Sequence, residues 1–507
     1  MEEVNQVRLA RVLEGLTVLE IRNPQDVEIA GVAYDSRRVE PGDLFCAIPG
    51  GRTDGHLHCE QALDRGAAAL LVERLEAEFP VPAVRVEQAR RAMALAAANL
   101  FDWPARRLRV IGVTGTKGKT TTTFLLRAIL ESAGIRCGLV GTVVTVVGGR
   151  PEPIERTTPE SPDLQRLLAR MAAAGDQAAV MEVSSHALAL SRVVGCEFDT
   201  AIFTNLGRDH LDFHGTLEGY RDAKLKLFSE HVARRDKPGP KTVVVNRDDP
   251  ESEHFLRAAQ VPALTYGLQG GAMVRAEEVQ LGREGSSFML RAGYPGEPAE
   301  LSLPLVIGAP GRYNVYNALA AITGGMAEGI HPRDMAEVLA REYQVPGRLE
   351  RVEEGQDFAV LVDYAHTPDS LENVLRAVRE FSTGRIVLVF GCGGDRDRGK
   401  RPLMGRVAAD LADLVVVTSD NPRGEDPRSI IAAILAGIGQ AECARVHVEP
   451  DRRLAIRQAI ALAQSGDTVV IAGKGHETYQ EVGSARLAMD DREEARKAIA
   501  EREAGQP

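Results

Sequence analysis

Short apolar runs separated by helix-period stretches recur along nearly the whole chain, and this alternation predicts parallel sheets covered by helices. Leu44 to Ile48 and Ala67 to Glu73 read as buried strands, the second after a helix ending near Gly66. Pro41-Gly42 supplies a turn before the first of them, and Trp103-Pro104 marks a boundary. From about 105 to 345 the apolar runs are Val110 to Val113, Gly138 to Val140, Ala178 to Glu182, Thr200 to Asn205 and Thr242 to Asn246. Residues 264 to 305 lose the alternation and read as antiparallel hairpins, and Arg312 to Asn317 open a small-residue helix that continues to Ala327. Beyond Pro346, runs at Ala359 to Asp363, Arg385 to Phe390, Leu414 to Thr418 and Thr468 to Ala472 predict a second doubly wound sheet. The expected fold is α/β with three domains: a small N-terminal α/β domain over 1–104, a central α/β domain over 105–345 and a C-terminal Rossmann-like domain over 346–507.

One strand-to-helix junction changes this picture from architecture to chemistry. Gly115, Thr116, Lys117, Gly118, Lys119, Thr120 and Thr121 follow the apolar run ending at Val113 and open an amphipathic helix. Small residues there let backbone N–H groups approach phosphates, and the helix N-terminus adds partial positive charge. Lys119 would reach the terminal phosphates of ATP, and the Thr120 hydroxyl would ligate Mg²⁺, which makes the central domain a P-loop ATPase type. Val113 stands where the usual pattern has glycine.

Composition narrows the class. The 507 residues are 44% hydrophobic and 26% charged, as in an ordinary globular protein. A net charge of −11 argues against a general nucleic-acid binder, which needs a basic face. No run approaches the ~18–20 apolar residues of a membrane span, so no membrane insertion is expected. The acidic, polar opening Met1-Glu2-Glu3-Val4 does not read as a secretion signal. The six cysteines are widely spaced, with no C-x-x-C pair, and read as free thiols of a reducing, cytoplasmic compartment.

Polar motifs follow the carboxyl ends of the apolar runs, where doubly wound sheets bind ligands. Glu182, in Met181-Glu-Val-Ser-Ser-His186, puts a carboxylate at a strand end, a natural Mg²⁺ ligand or an ordinary strand-end charge. His210 follows the next run and reads equally as a second-metal ligand or a structural histidine. At helical spacing Tyr220, Lys224 and Phe228 share a face while Lys226 points away; a lysine among apolar neighbours is costly unless paired, modified or snorkelling to solvent. In the C-terminal part Arg396, Asn421, Arg423 and Glu477 all sit at strand ends, which favours a zwitterionic amino-acid site over solvated surface charge.

Taken together and in this order, these segments resemble the Mur ligases of peptidoglycan synthesis over nearly the whole chain. Asp35-Ser36-Arg37 and the Pro-Gly-Asp-Leu-Phe45 turn are similar to that family's UDP-binding domain, and Thr114 to Thr120 to its ATP loop, which accounts for Val113. The resemblance assigns Asn317, Arg348 and Asp363 to ATP, and Ser36, Thr157, Thr158, Ser184 and Arg192 to the nucleotide-sugar substrate. It places Arg396, Asp420, Asn421, Arg423, Gly473 and Glu477 on the amino acid, and Thr120, Glu182, His210 and a carbamylated Lys224 around the metals. Lys119, Lys224 and His210 would be catalytic. Gly51-Arg52-Thr53 departs from some relatives at the uracil pocket.

The branch resembled most adds the third residue of the stem peptide, and its diaminopimelate-adding members carry Asp-Asn-Pro-Arg, intact here as Asp420 to Arg423. The implied reaction has ATP phosphorylate the D-Glu γ-carboxylate of UDP-MurNAc-L-Ala-D-Glu. The amine of meso-diaminopimelate then displaces phosphate from the acyl phosphate, with closure of the third domain before chemistry. The partners expected are these small molecules alone, and the protein is expected to be a monomer. A folylpolyglutamate synthase, a lysine-adding relative and a non-ligase nucleotide switch are the rival readings. The first block and the Asp-Asn-Pro-Arg segment argue against the first, and Arg423 against the second.

Overall fold

The computed structural model describes residues 6–50, 53–153, 156–232, 237–282, 285–293, 300–341 and 345–504. Gly51 and Arg52 of the uracil-pocket segment, and the last three residues of the polar tail, lie outside the described residues. Two compact units divide the chain: one comprises Met1–Arg275, Arg291–Leu301 and Asn317–Val338, the other Ala276–Leu290, Ser302–Tyr316 and Leu339–Pro507.

In the first unit a five-stranded sheet runs in the order Val18–Arg22, Ala83–Val86, Ala69–Val72, Asp43–Cys46, Gly31–Ala33. Its first pair is antiparallel and the rest parallel. The Asp43–Cys46 and Ala69–Val72 strands are buried at every position, which is why they read as continuous apolar runs. Tyr34 at the edge of this sheet donates to Asp163 Oδ2 at 2.7 Å, fastening it to the helix Ser161–Ala173.

The larger sheet of this unit places Arg109–Thr114 between Ala178–Glu182 and Thr200–Phe203, all parallel. Cys137–Val140 lies beyond Ala178–Glu182, and Thr242–Asn246 beyond Thr200–Phe203. The chain leaves Arg109–Thr114 toward one side and later returns to the other, so the crevice outside its carboxyl end is a topological switch point. Val113 is fully buried within the strand and pairs with Glu182 and Ile202, so the phosphate-type loop begins only at Gly115.

The antiparallel hairpins expected from 264 onward are not what forms at the start of that stretch. Ala263–Gly267 pairs parallel with Thr242–Asn246, and again parallel with the beginning of Val274–Leu281. Val274–Leu281 alternates between buried and more exposed positions, a pattern that records one covered face and carries no information on strand direction.

The second unit is built on Ala359–Asp363, Thr468–Ala472, Ile386–Phe390, Leu414–Val417 and Val446–Val448, hydrogen-bonded in that order and all parallel. Glu350–Arg351 adds an antiparallel edge. Helix Pro368–Phe381 covers one face through Leu371, Leu375 and Val378, and opens with a capping box between Thr367 and Ser370. Helices Arg452–Leu462 and Asp491–Ala504 cover the other face.

Under the carboxyl ends of these strands lies a fully buried ion pair. Arg452 donates from Nε and Nη2 to Asp491 at 2.8 and 2.6 Å, and also to the carbonyls of Ser419 and Ala472 at 3.2 and 2.9 Å. One guanidinium thereby joins two strand ends and the start of the last helix. Among the described residues no helix is long and apolar enough to cross a membrane. Removing one partner of such a pair strands a buried charge. Asp491→Ala is therefore expected to destabilise the protein by about 3–5 kcal/mol, read as an earlier urea midpoint by circular dichroism. Arg452→Met combined with Asp491→Leu should recover most of that loss; a single variant with an unchanged midpoint would refute the assignment.

Candidate active site

The loop after Arg109–Thr114 takes its shape from two glycines. Gly115 has φ +150° and Gly118 φ +83°, and a Cβ would strike Thr204 Oγ1 at the first and Asn317 Oδ1 at the second. The next strand end pins the loop from outside: Thr116 N donates to Asn205 O at 2.8 Å, Lys117 N to Asn205 Oδ1 at 2.9 Å, and Thr204 Oγ1 to Lys117 O at 2.6 Å. Lys119 opens the helix Lys119–Ser132 and folds its ammonium back onto Gly115 O and Thr116 O, at 2.8 and 3.0 Å.

Glu182 is buried at the end of its strand and accepts from Thr120 Oγ1 at 3.0 Å. Thr142 holds the same carboxylate from its N–H at 2.7 Å and its hydroxyl at 3.1 Å, and that hydroxyl also meets Thr157 Oγ1 at 3.1 Å. A hydroxyl and a carboxylate already aimed at one another form the hard-oxygen donor pair that Mg²⁺ takes, so Thr120 and Glu182 fit that ion. His210 belongs to a neighbouring ring cluster. Its ring lies 4.7 Å from that of His186 and 6.2 Å from that of Tyr220, and among the described residues no three His, Cys, Asp or Glu side chains gather as a metal-holding group. Burial lowers the pKa of His210, with Lys119 and Lys224 adding to it against Asp209. His186 is lowered to about 4 by burial and by His210 and His214.

Lys224 lies on the helix Leu217–Lys226 with Tyr220, and both are fully buried, as is Phe228 beyond it; Lys226 is half-exposed. Snorkelling is thereby excluded for Lys224. Its ammonium donates to Gly115 O at 2.8 Å, the carbonyl that Lys119 also uses, and stands 4.4 Å from the Tyr220 ring centroid. Burial and then the charge of Lys119 push its pKa well below the ordinary lysine range. This favours the neutral amine, the form that reacts with an electrophile.

Thr158, Ser184 and Arg192 form one neighbouring group. Thr158 Oγ1 donates to Glu182 O at 2.9 Å and meets Ser184 Oγ at 3.3 Å, and Arg192 Nη1 donates to Thr158 O at 3.2 Å. Three guanidinium groups, of Arg90, Arg156 and Arg192, converge on the buried Glu160 at 3.2, 2.7 and 2.9 Å. Ser36 is held apart from these residues in the five-stranded-sheet region, donating to Gln61 Oε1 at 2.7 Å.

In the second unit the strand ends carry another cluster. Asp363 accepts from Leu349 N and Ala365 N, both at 2.8 Å, and Arg348 lies 5.5 Å from the Tyr364 ring centroid. Asn421 Nδ2 donates to Glu477 Oε2 at 3.0 Å, and the fully buried Lys474 donates to Asn421 Oδ1 and Glu477 Oε2 at 3.0 and 2.9 Å. Arg423, at φ +51°, donates from Nε to Glu481 Oε2 at 2.8 Å and from Nη1 to Gly394 O at 2.9 Å. A Cβ on Gly473 would sit 2.9 Å from Asp420 Oδ2, so glycine there keeps the carboxylate's place open. Arg396 is exposed and donates to Asp395 O at 3.3 Å; a Cβ on Gly393 would lie 3.8 Å from its Cγ and 3.8 Å from Asn421 O.

Thr142, Glu160, Lys474 and Glu481 were absent from the sequence reading. Lys474 lies inside the motif from Gly473 to Glu477 and Glu481 lies just past it, and proximity to that motif was the one signal available for them. Thr142 and Glu160 carry no local pattern at all.

Three family models match the chain: the Mur ligase family catalytic domain over 28–100, the Mur ligase middle domain over 113–324, and the Mur ligase glutamate ligase domain over 347–475. The chain is 47% identical to the UDP-N-acetylmuramoyl-L-alanyl-D-glutamate–2,6-diaminopimelate ligase of Syntrophomonas wolfei, across 96% of this chain and 98% of that one. It is 46% identical to the protein of the same name from Geobacillus thermodenitrificans, across 98% and 100%. A solved structure of a ligase with that name superposes at a TM-score of 0.70 with 34% identity, covering 98% of this chain and 99% of that one. With its strand-end clusters and these full-length similarities, the chain belongs to the Mur ligase family.

Proposed function

We propose that this protein is an ATP-dependent amide ligase that adds meso-diaminopimelate to the D-Glu γ-carboxylate of UDP-MurNAc-L-Ala-D-Glu, a step of peptidoglycan precursor synthesis. The observation that carries this reading is the Asp420 to Arg423 turn. It presents a guanidinium whose Nη2 donates to no partner among the described residues, and its Asn421 amide donates to the Glu477 carboxylate. The names of the full-length relatives support it.

In this reading residues 1–104 bind the uridine diphosphate, 105–345 the ATP and 346–507 the incoming amino acid. Lys119 leaves its resting bonds to Gly115 O and Thr116 O and neutralises the terminal phosphates, while the loop N–H groups and helix N-terminus hold them. Thr120 and Glu182 would hold Mg²⁺, with Lys224 joining them once carbamylated and His210 near by; the ion supplies charge neutralisation on the phosphates. Asn317, Arg348 and Asp363 take the adenosine end. Thr157, Thr158, Ser184 and Arg192 fix the sugar-linked peptide, and Ser36 the nucleotide.

The γ-carboxylate oxygen attacks the γ-phosphorus of ATP and ADP leaves. The amine nitrogen then attacks the acyl carbon, and the tetrahedral adduct expels phosphate and loses a proton to give the amide. Arg423 pairs with the distal carboxylate of diaminopimelate, and Glu477 with an ammonium, next to Asp420 and Asn421. Lysine lacks that carboxylate and leaves the guanidinium unmatched, a mismatch on the scale of about 10⁴-fold in a polar site. Six free cysteines, five of them buried, fit the reducing cytoplasm. One chain carries every group invoked, so a monomer suffices.

Phosphate release with UDP-MurNAc-L-Ala-D-Glu and ATP should require meso-diaminopimelate and fall to background with lysine; equal release with both would end the specificity reading. Arg423→Ala should lose use of diaminopimelate while binding ATP as before, checked by nucleotide titration. Burial and the charge of Lys119 depress the Lys224 pKa, so its amine gives up a proton more readily than an ordinary lysine and is open to carbon dioxide. Assays in carbon-dioxide-depleted buffer should lose activity and regain it on adding bicarbonate, and Lys224→Met should show no such response; indifference of the unaltered enzyme would sink the carbamate.

A further inference from the structure

We propose that Glu481 is the positioning residue that aims Arg423 at the distal carboxylate of the amino-acid substrate. This rests on the reading of Arg423 given above and extends it to a residue outside the Asp-Asn-Pro-Arg segment.

Arg423 stands in a left-handed backbone conformation, φ +51°, and none of its side-chain hydrogen bonds is made to its own turn. A separate hairpin, Tyr479–Val482 with Ala485–Ala488, holds it instead. The hairpin is bonded along the turn: Gln480 Nε2 donates to Asp420 O at 2.6 Å, Glu481 N to Asn421 Oδ1 at 2.9 Å, Arg423 N to Glu481 O at 3.0 Å, and Gly483 N to Arg423 O at 2.8 Å. The two backbones therefore move together, and the Glu481 carboxylate is set at a fixed place beside the guanidinium.

The carboxylate takes Nε at 2.8 Å, and Gly394 O takes one Nη1 proton at 2.9 Å. Nη2 is left with no acceptor among the described residues, so the outer edge of the fork is the part a ligand carboxylate can engage. Gly393 makes room for this pose, because a Cβ there would lie 3.0 Å from Nη1. Both side chains of the pair are about three-quarters covered, at 23% exposure each. Burial disfavours the charge on Glu481, yet the bond and charge of Arg423, with help from Arg486, outweigh it and hold its pKa below the usual carboxylate range.

Two chemistries follow. The bond to Nε removes rotamer freedom that a long arginine would otherwise lose on binding, so the guanidinium is pre-organised. The same strand fixes Asn421, whose Oδ1 accepts from Glu481 N and Lys474 while its Nδ2 donates to Glu477. Glu481 thus sits where the carboxylate-reading and ammonium-reading groups are tied to a common frame.

The test is steady-state kinetics of the full chain with ATP, UDP-MurNAc-L-Ala-D-Glu, and meso-diaminopimelate or lysine. Glu481→Ala should raise the KM for diaminopimelate about tenfold, the scale of one hydrogen bond to a charged group. Its kcat and its KM for ATP should stay within about twofold, and its preference for diaminopimelate over lysine should fall in step. Glu481→Gln keeps an acceptor for Nε and should restore the KM to within about threefold. An unchanged KM for diaminopimelate in Glu481→Ala overturns the proposal. So does a loss spread equally over kcat and the ATP KM, the mark of a merely structural role. If Arg423→Ala loses diaminopimelate use and Glu481→Ala does not, this inference fails while the reading of Arg423 stands. An unaltered enzyme indifferent to diaminopimelate takes both down.

Discussion

The carbonyl oxygen of Gly115 is the point on which the nucleotide end of this protein depends. Two ammonium groups, on Lys119 and Lys224, both donate to it at 2.8 Å. Two like charges on one acceptor in a dry setting are unfavourable, and the protein resolves the conflict unequally. Lys119 stays at a helix start facing the loop, while Lys224 is sealed among apolar side chains and loses basicity. That inequality suits the two lysines to different chemistry. A charged lysine is suited to phosphate, and a neutral one to reaction with an electrophile. The geometry follows from Gly115 itself, since no side chain could occupy its position against Thr204.

The second unit solves a different problem with the same architecture. It gathers both signs of charge at its strand ends without letting them cancel. The Asn421 amide takes Lys474 and the Glu481 N–H on its oxygen and Glu477 on its nitrogen, and the Glu481 carboxylate in turn pairs with Arg423. The amide of Asn421 has each end committed, so its orientation is dictated by its partners. The parallel strands end beneath this cluster, and Arg452 with Asp491 braces those ends from inside. Rigidity below is what lets turns above carry function.

Much of the scaffold was legible because its strands are buried on both faces. Ala178–Glu182, Thr242–Asn246, Ala359–Asp363 and Thr468–Ala472 begin and end where their apolar runs do. Ala263–Gly267 pairs parallel on both sides where a hairpin was expected, because the loss of intervening helix patterns says nothing of strand direction. At the site, helical spacing put Lys224 on one face with Tyr220 and Phe228 but left snorkelling open, because only tertiary packing decides whether the ammonium reaches solvent. Thr142 could not be anticipated, because its partner Glu182 is 40 residues away and a threonine in a loop has no pattern. The Glu481–Arg423 pair spans 58 residues and depends on how a hairpin docks, which is a fact of tertiary structure alone.

This division has a consequence for how selectivity is built. The phosphate loop is shaped by glycines and backbone groups, which leaves little that substitution could retune without losing the loop. The amino-acid end is shaped by side chains on a turn and a hairpin, each held by a few hydrogen bonds to the other. On the proposed reading, a change at Arg423 or its carboxylate partner alters which ligand is matched while the parallel sheet beneath keeps its own pairing. Discrimination against lysine then arises from polar groups that find no counterpart, and its size depends on how firmly those groups are held before the ligand arrives. A freely rotating arginine could turn to water and forgive the wrong amino acid; one tied at Nε and Nη1 is restrained from doing so. Tight positioning of the guanidinium is therefore as much a part of specificity as its charge.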